Sequence, residues 1–299
     1  MTPNEQFVNQ NKVFWAHVRS VSQHLGYTDR GSGSVKVATV EKISSALRDL
    51  GLKSDHVISG GKATKFGRLL HEYFLHRADV INNNIQHNLM DAPEARAAFK
   101  KILGNRKPKF PIPMNKQKGK KKAPAYLTAM VNILIERNAN GFPCDFDPRE
   151  LTSVTRNQLP VRTLARRVDG AFPSVINPAA VWEIKEYYYT TTFGSRVADG
   201  VYESLLDGLE LEELREEEGI HIKHYLFIDS HYTWWKCGRS YLCRIVDMLH
   251  MGYVDEVIVG KEVATRVPEL VRAWIEITKN SRQGEELKEI EAAKSKRRG

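Results

Sequence analysis

The nine residues Val181 to Tyr189, read VWEIKEYYY, constrain this chain more than any other stretch. β-branched and aromatic side chains belong on a pleated strand, and along a strand alternate residues face the same way. Glu183 and Lys185 therefore share one face, and Ile184 takes the other. The span has the composition of a strand and carries a carboxylate and an amine in one small volume.

The flanking sequence says what else reaches that face. VRTLARRVDGAF (161–172) and AAVWEIKEYYYTT (179–191) read as two strands joined by the turn-rich PSVINP. Asp169, near the end of the first, is then brought beside Glu183 on the second. Two carboxylates held together repel unless a cation lies between them. A hard divalent ion with oxygen ligands and several retained waters meets that need, and magnesium is the expected one. An adjacent Lys185 would orient or help deprotonate a metal-bound water and offset charge growing on a phosphorane-like transition state. The bland alternative is an ordinary cross-strand salt bridge, which contributes about 0 to 1 kcal/mol when exposed.

Elsewhere helix and strand signals alternate. Residues 4–25, with Phe7, Val13, Phe14, Val18 and Val21 among polar neighbours, predict an amphipathic helix, and Thr39 to Leu50 a second ending at Gly51. Another helix starts at Arg68 and runs past Val80, and one more spans Ala125 to Arg137. Beyond the hairpin come a long helix from Ser195 to Glu218, a strand over 221–235, a helix over 240–253 and a short strand over 254–260. The fold class is α/β, a mixed central sheet flanked by helices, with a helical amino-terminal region. The expected division is residues 1–58 for that region, 59–262 for the core and 263–299 for a helical tail. The acidic run Asp207 to Glu218 reads as an exposed helix face, with Leu209, Leu211 and Leu214 available to a buried stripe. Glu186, facing away from Glu183, is expected to meet a helix or solvent, and Tyr187, Tyr188 and Tyr189 to pack as an aromatic strand surface or to stack on bases.

Charge points to a polyanionic partner. The 299 residues carry a formal net charge of +9, and from Lys101 to Lys122 there are nine Lys or Arg and no acid, punctuated by Pro108, Pro111, Pro113 and Gly119. This predicts a basic loop that follows a phosphate backbone and releases its counterions, or else a solvated linker. No run approaches the roughly 18 apolar residues of a membrane span, and MTPNEQFVNQNK lacks a secretory signal, so no membrane association and a cytoplasmic location are expected. Cys144, Cys237 and Cys243 have no CxxC spacing and are expected to be reduced; together with His221, His224 and His250 they match no common zinc module. No P-loop is present.

Asp169, followed after thirteen residues by Glu183-Ile184-Lys185 on a hairpin, resembles the PD-(D/E)xK nuclease superfamily, with Val168 where the family's proline would stand. A second Glu-x-Lys, Glu286-Leu287-Lys288, has no apolar strand around it. The resemblance implies a restriction-endonuclease-like core, with a helix before the hairpin and a helix and strand after it. It also implies catalytic Asp169, Glu183 and Lys185, and a further acid from the preceding helix, best matched by Glu72 in RLLHEYFLHR. Mg²⁺ would be held by Asp169, Glu183 and the main-chain carbonyl of Ile184. The substrate implied is double-stranded DNA, cut so that the phosphate stays on the 5′ side, and a chain of this size without an ATPase motif is most similar to a type II restriction endonuclease, which acts as a homodimer. DNA contacts are expected from Lys107, Lys109, Lys116, Lys118, Lys120, Lys121 and Lys122, and at the helix start from Ser195 and Arg196, where free N–H groups favour a phosphate although an N-cap serine needs no ligand. Two other outcomes stay open: a structure-directed repair or phage-type nuclease on the same fold, and a non-catalytic DNA-binding protein.

Overall fold

The computed structural model describes residues 1–29, 31–117, 120–189 and 194–296, and for 116–117, 120–122, 196 and 282–296 the backbone alone. Four helices open the chain: α1 (Glu5–Val8), α2 (Lys12–Leu25), α3 (Val40–Asp49) and, after the small ribbon β1 (Ile58–Ser59) and β2 (Lys62–Ala63), α4 (Lys65–Asp79). The single helix expected over 4–25 is two, because the Asn11 side chain accepts the Phe14 N–H and starts α2 afresh. Phe7, Phe14, Trp15, Val18, Ile43, Leu47, Tyr73 and Phe74 bury one another, so α4 packs with the amino-terminal helices. A π-helical turn, Val80–Ile85, carries α4 into α5 (Gln86–Asn88).

A capping box, in which Asp91 and Glu94 exchange side chain-to-backbone bonds, then starts α6 (Ala92–Leu103). The basic segment expected as a loop is therefore partly helix, since α6 continues to its glycine stop at Gly104. Its far end is also ordered, as the antiparallel ribbon β3 (Met114–Gln117) and β4 (Lys120–Pro124). Next come α7 (Tyr126–Asn138), β5 (Asp145–Phe146), and a second ribbon of β6 (Ser153–Arg156) and β7 (Leu159–Thr163). Asn157 and Gln158 both have positive φ, the conformation of a tight hairpin turn. That turn takes Val161–Thr163 out of the strand expected over 161–172 and leaves only β8 (Gly170–Phe172) for the central sheet.

The remaining elements are β9 (Ala180–Glu186), α8 (Ser195–Glu218), β10 (Lys223–Asp229), α9 (Arg239–His250), β11 (Glu256–Val259) and α10 (Val263–Lys296). β9 stops at Glu186, short of the expected Thr191. β10 stops at Asp229, short of Trp235, because Ser230 turns with φ 113° and its hydroxyl accepts the Thr233 N–H to begin a π-helical turn over His231–Cys237.

The central sheet has the order β11-β10-β9-β8-β5. The β5–β8 and β8–β9 pairs are antiparallel, while β9, β10 and β11 are parallel, with α8 and α9 as the crossovers. The two faces bury different helices. Trp182, Ile184, Tyr225, Phe227 and Ile258 pack against α7 and α10, while Leu226, Ile228, Val257 and Val259 pack against α8 and α9. β9 is the middle strand and is buried along both faces, so its charged residues sit where solvent cannot serve them. No helix among the described residues is long and apolar enough to cross a membrane.

Candidate active site

Gly170 opposes Trp182 and Ala171 opposes Val181 in the β8–β9 pairing. One step further along this antiparallel ladder Asp169 comes opposite Glu183, and residues directly opposite project from the same face. Backbone and side chain lock the pair: the Asp169 N–H donates to Glu183 Oε1 at 3.2 Å, and the Ile184 N–H donates to Asp169 Oδ2 at 2.7 Å. The glycine after Asp169 is required, because a Cβ there would lie 2.2 Å from the Trp182 ring. That ring in turn stacks on Trp274 of α10 at 5.3 Å between centroids. The hairpin thus closes tightly on one face and presents its acids on the other.

Lys185, two residues beyond Glu183, reaches back to it, with Nζ 2.6 Å from Glu183 Oε2 and 2.8 Å from Glu203 Oε2 on α8. α8 comes this close because of Gly200: a Cβ there would lie 2.7 Å from the Tyr187 hydroxyl and 3.1 Å from Lys185 Cδ. Glu203 and Asp207, four apart, share the helix face turned to β9. Arg166, from the loop between β7 and β8, completes the cluster. Its Nη1 stands 2.9 Å from Glu183 Oε1 and 2.6 Å from Asp207 Oδ2, and its Nη2 stands 3.2 Å from Glu183 Oε2 and 3.5 Å from Glu203 Oε2.

Two cations therefore face four acids. Burial pushes Asp169 up to about 6, helped by the Glu183 charge, and pushes Asp207 up to about 7 for the same two reasons. Burial alone would raise Glu183 as well, but Lys185 and Arg166 outweigh it and hold that carboxyl below its usual range. The Lys185 ammonium is likewise kept charged against its burial by Glu183, Asp169 and Glu203. Two polar atoms are left over. Asp207 Oδ1 is buried without a partner among the described residues, and so is Nε2 of His224, whose Nδ1 donates to the Tyr253 carbonyl. Burial holds His224 below its ordinary value, so it is neutral and Nε2 is a lone pair.

Carboxylate oxygens are the kind of donor a hard divalent cation takes. The Asp207 oxygen without a partner among the described residues and the raised Asp169 both follow from acids buried in excess of the cations beside them. As the side chains stand, no three His, Cys, Asp or Glu among the described residues form a ready ligand group. Both Glu183 oxygens are engaged by Arg166 and Lys185.

Of the residues picked from sequence, Asp169, Glu183 and Lys185 come together on one face. Ile184 turns its side chain into the opposite core while its N–H holds Asp169. Glu72 is not part of the group: it lies on α4, where its carboxylate accepts from Gln6 Nε2 at 2.9 Å in an exposed contact. α4 packs with the amino-terminal helices, and α7 is the helix that immediately precedes the sheet in the chain. Asp207, read as the start of an exposed acidic face, is fully buried, whereas Leu211 and Leu214 are buried as expected and Leu209 is not. Glu186 does meet a helix, accepting the Leu127 N–H at 2.7 Å at the start of α7, where the N-cap is an alanine without a side-chain acceptor. Burial raises it to about 8. Tyr188 packs in the core and donates to Asp229, and the partly exposed Tyr189 meets the Tyr126 hydroxyl.

Lys107 and Lys109 lie beyond the end of α6, both exposed. Lys116, Lys120, Lys121 and Lys122 lie on the β3–β4 ribbon with side chains outside those described, and Lys118 lies outside the described residues. Ser195 is exposed as the first residue of α8; Gly194, not Ser195, is its N-cap, and the Arg196 side chain is outside those described. The sequence reading does not find Arg166, Glu203 and Asp207. The signals that could have found them are the Glu-x-x-x-Asp spacing on a helix next to the hairpin and an arginine three residues before Asp169.

Residues 90–274 match the family described as Domain of unknown function (DUF7687), and residues 1–84 match that described as Domain of unknown function (DUF7690). No curated protein and no solved structure matches the chain.

Proposed function

We propose that this chain, which belongs to the DUF7687 family, is a magnesium-dependent nuclease of the PD-(D/E)xK kind. It would hydrolyse phosphodiester bonds in double-stranded DNA in the manner of a type II restriction endonuclease. The observation that carries the reading is Asp169 locked opposite Glu183 with Lys185 on the same face of β9. The element order supports it: α8 follows the β8–β9 hairpin, and β10 then returns parallel to β9.

Asp169, Glu183 and the main-chain carbonyl of Ile184 would hold Mg²⁺, whose chemistry there is to polarise the scissile phosphate and lower the pKa of a bound water. Lys185 is held as an ammonium, so it donates hydrogen bonds rather than taking a proton. It positions the attacking water for in-line displacement and offsets charge on the phosphate oxygens. Glu183, ionised at neutral pH and shut away from solvent, fixes the Lys185 head. In the absence of the ion, burial and the Glu183 charge hold the Asp169 carboxyl above its usual range, and a bound divalent cation would draw it back down.

A nucleic-acid partner is supported by the net charge of +9 and by an open cavity of about 500 Å³ lined by Arg96, Phe99, Lys100, Tyr126 and Tyr189. Cations beside ring faces suit phosphates and stacked bases. A twofold homodimer would present two such sites to two strands.

One observation favours a second reading, a DNA-binding protein without catalysis: both Glu183 oxygens are already matched by Arg166 and Lys185. Supercoiled plasmid, methylated and unmethylated, incubated with the protein in Mg²⁺ or in EDTA separates the two. The nuclease reading expects Mg²⁺-dependent cutting that Lys185→Ala lowers by about 10²- to 10⁴-fold while duplex binding is kept. Near wild-type cutting by that variant removes the site assignment, and binding with no Mg²⁺-dependent cutting by the wild type selects the second reading. Discrete fragments indicate site-specific cleavage, and end-dependent degradation indicates a structure-directed nuclease.

A further inference from the structure

We propose that Arg166 is the resident occupant of the cation position, and that its guanidinium and a divalent ion are alternative partners of the same Glu183 and Asp207 oxygens. The inference rests on the nuclease reading above and adds to it a gate and a further ligand. Nη1 of Arg166 bridges Glu183 Oε1 and Asp207 Oδ2, while Nη2 bridges Glu183 Oε2 and Glu203 Oε2. One guanidinium thus gathers three carboxylates, as a divalent ion would, and its planar fork suits the task. Asp207 carries the second observation. It is fully buried, and while Oδ2 meets Arg166, Oδ1 has no partner among the described residues, so one oxygen of this acid is left unmatched by the arginine.

The two cations differ in freedom. Lys185 projects from the middle strand and is pinned by the close approach of α8 at Gly200. Arg166 hangs from the loop between β7 and β8, and its side chain is 23% exposed. Arg166 is therefore the one that can leave. Its departure frees Glu183 Oε1 and Asp207 together, turning a closed ion-pair network into a ligand group in which Asp207 joins Asp169 and Glu183. Glu203, 42% exposed, lies at the mouth and offers the displaced arginine a partner on the way out. Without the ion, Arg166 keeps the acids from repelling one another and acts as a positioning residue for them.

Mn²⁺ binding to the full chain, followed by calorimetry and by the loss of the free-ion paramagnetic signal, tests this without any cleavage assay. Arg166→Ala should bind Mn²⁺ at least about tenfold more tightly than wild type, because the competing charge is gone. The same variant should melt at lower temperature in EDTA and regain stability when Mn²⁺ is added. Asp207→Asn in the wild-type background should weaken Mn²⁺ binding, and adding it to Arg166→Ala should abolish the gain. If Arg166→Ala does not fold, Arg166→Lys, which keeps one charge but loses the fork, should still tighten binding by a smaller factor. Unchanged Mn²⁺ affinity in the Arg166 variants, with clear binding by the wild type, overturns the gate and leaves the nuclease reading standing. No Mn²⁺ binding by any variant overturns both.

Discussion

The buried ion pair that joins the amino-terminal helices to the core differs in kind from the cluster that faces β9. In the first, Arg77 on α4 meets Asp247 on α9 at 3.0 Å, and Tyr73 and Ser22 complete the hydrogen bonding. One cation meets one anion. In the second, Arg166 and Lys185 face Asp169, Glu183, Glu203 and Asp207. The first is balanced, one charge against one, with Arg77 Nε left without a partner among the described residues. The second leaves acids over, four against two cations, with Asp169 and Asp207 raised. An excess of buried negative charge destabilises a fold unless something else uses it, and on the proposed nuclease reading that excess is what sets the cluster apart from the rivet.

The contrast should break most visibly at the rivet. Arg77→Ala leaves a buried carboxylate unpaired and should lower stability by about 3–5 kcal/mol in urea titrations, while the folded fraction keeps its specific activity. A loss of cleavage with stability intact would erase the distinction.

The surplus acids also set a pH dependence. Asp169 and Asp207 rise from 3.8 to about 6 and about 7, so between about pH 4 and 7 the folded state holds protons that the unfolded chain has released. Their contribution therefore makes stability fall as pH rises through that window, by at most about 1.4 kcal/mol for each pH unit and each group. Asp207→Asn should flatten the fall in unfolding free energy measured from about pH 4 to about pH 7. An unchanged slope would mean that the acids are not in surplus.

Weaker effects lie at the surface. Neutralising Lys107 and Lys109 together should weaken duplex binding a few-fold for every sequence and reduce the salt slope by about two. Glu72→Gln should change neither cleavage nor Mg²⁺ dependence, because Glu72 bonds Gln6 on the far helices. A cleavage defect there would return it to the site.

The site is legible in the sequence where its chemistry depends on strand alternation. Glu183 and Lys185 had to share a face, and a hairpin had to bring Asp169 to them. Sequence is silent where chemistry depends on how separate elements dock. Nothing local marks Asp207 as buried within DGLELEELREEE; the packing of α8 against β9, with Arg166 reaching across from another loop, decides that. The mixed sheet could be read from the alternation of segments, but its strand limits could not. Asn157-Gln158 took Val161–Thr163 into a separate ribbon, and Ser230 ended β10, each through backbone geometry that composition does not display. The basic run is not a single loop for a similar reason, since the capping box at Asp91 carries α6 into it.

The central claim is that Asp169 and Glu183 converge to share a cation. Anomalous scattering from a crystal soaked in Mn²⁺ tests it most directly. The account predicts a peak bracketed by the carboxylates of Asp169 and Glu183, with the Arg166 guanidinium moved aside. Mn²⁺ density only elsewhere, with Arg166 still seated between Glu183 and Asp207, would contradict it.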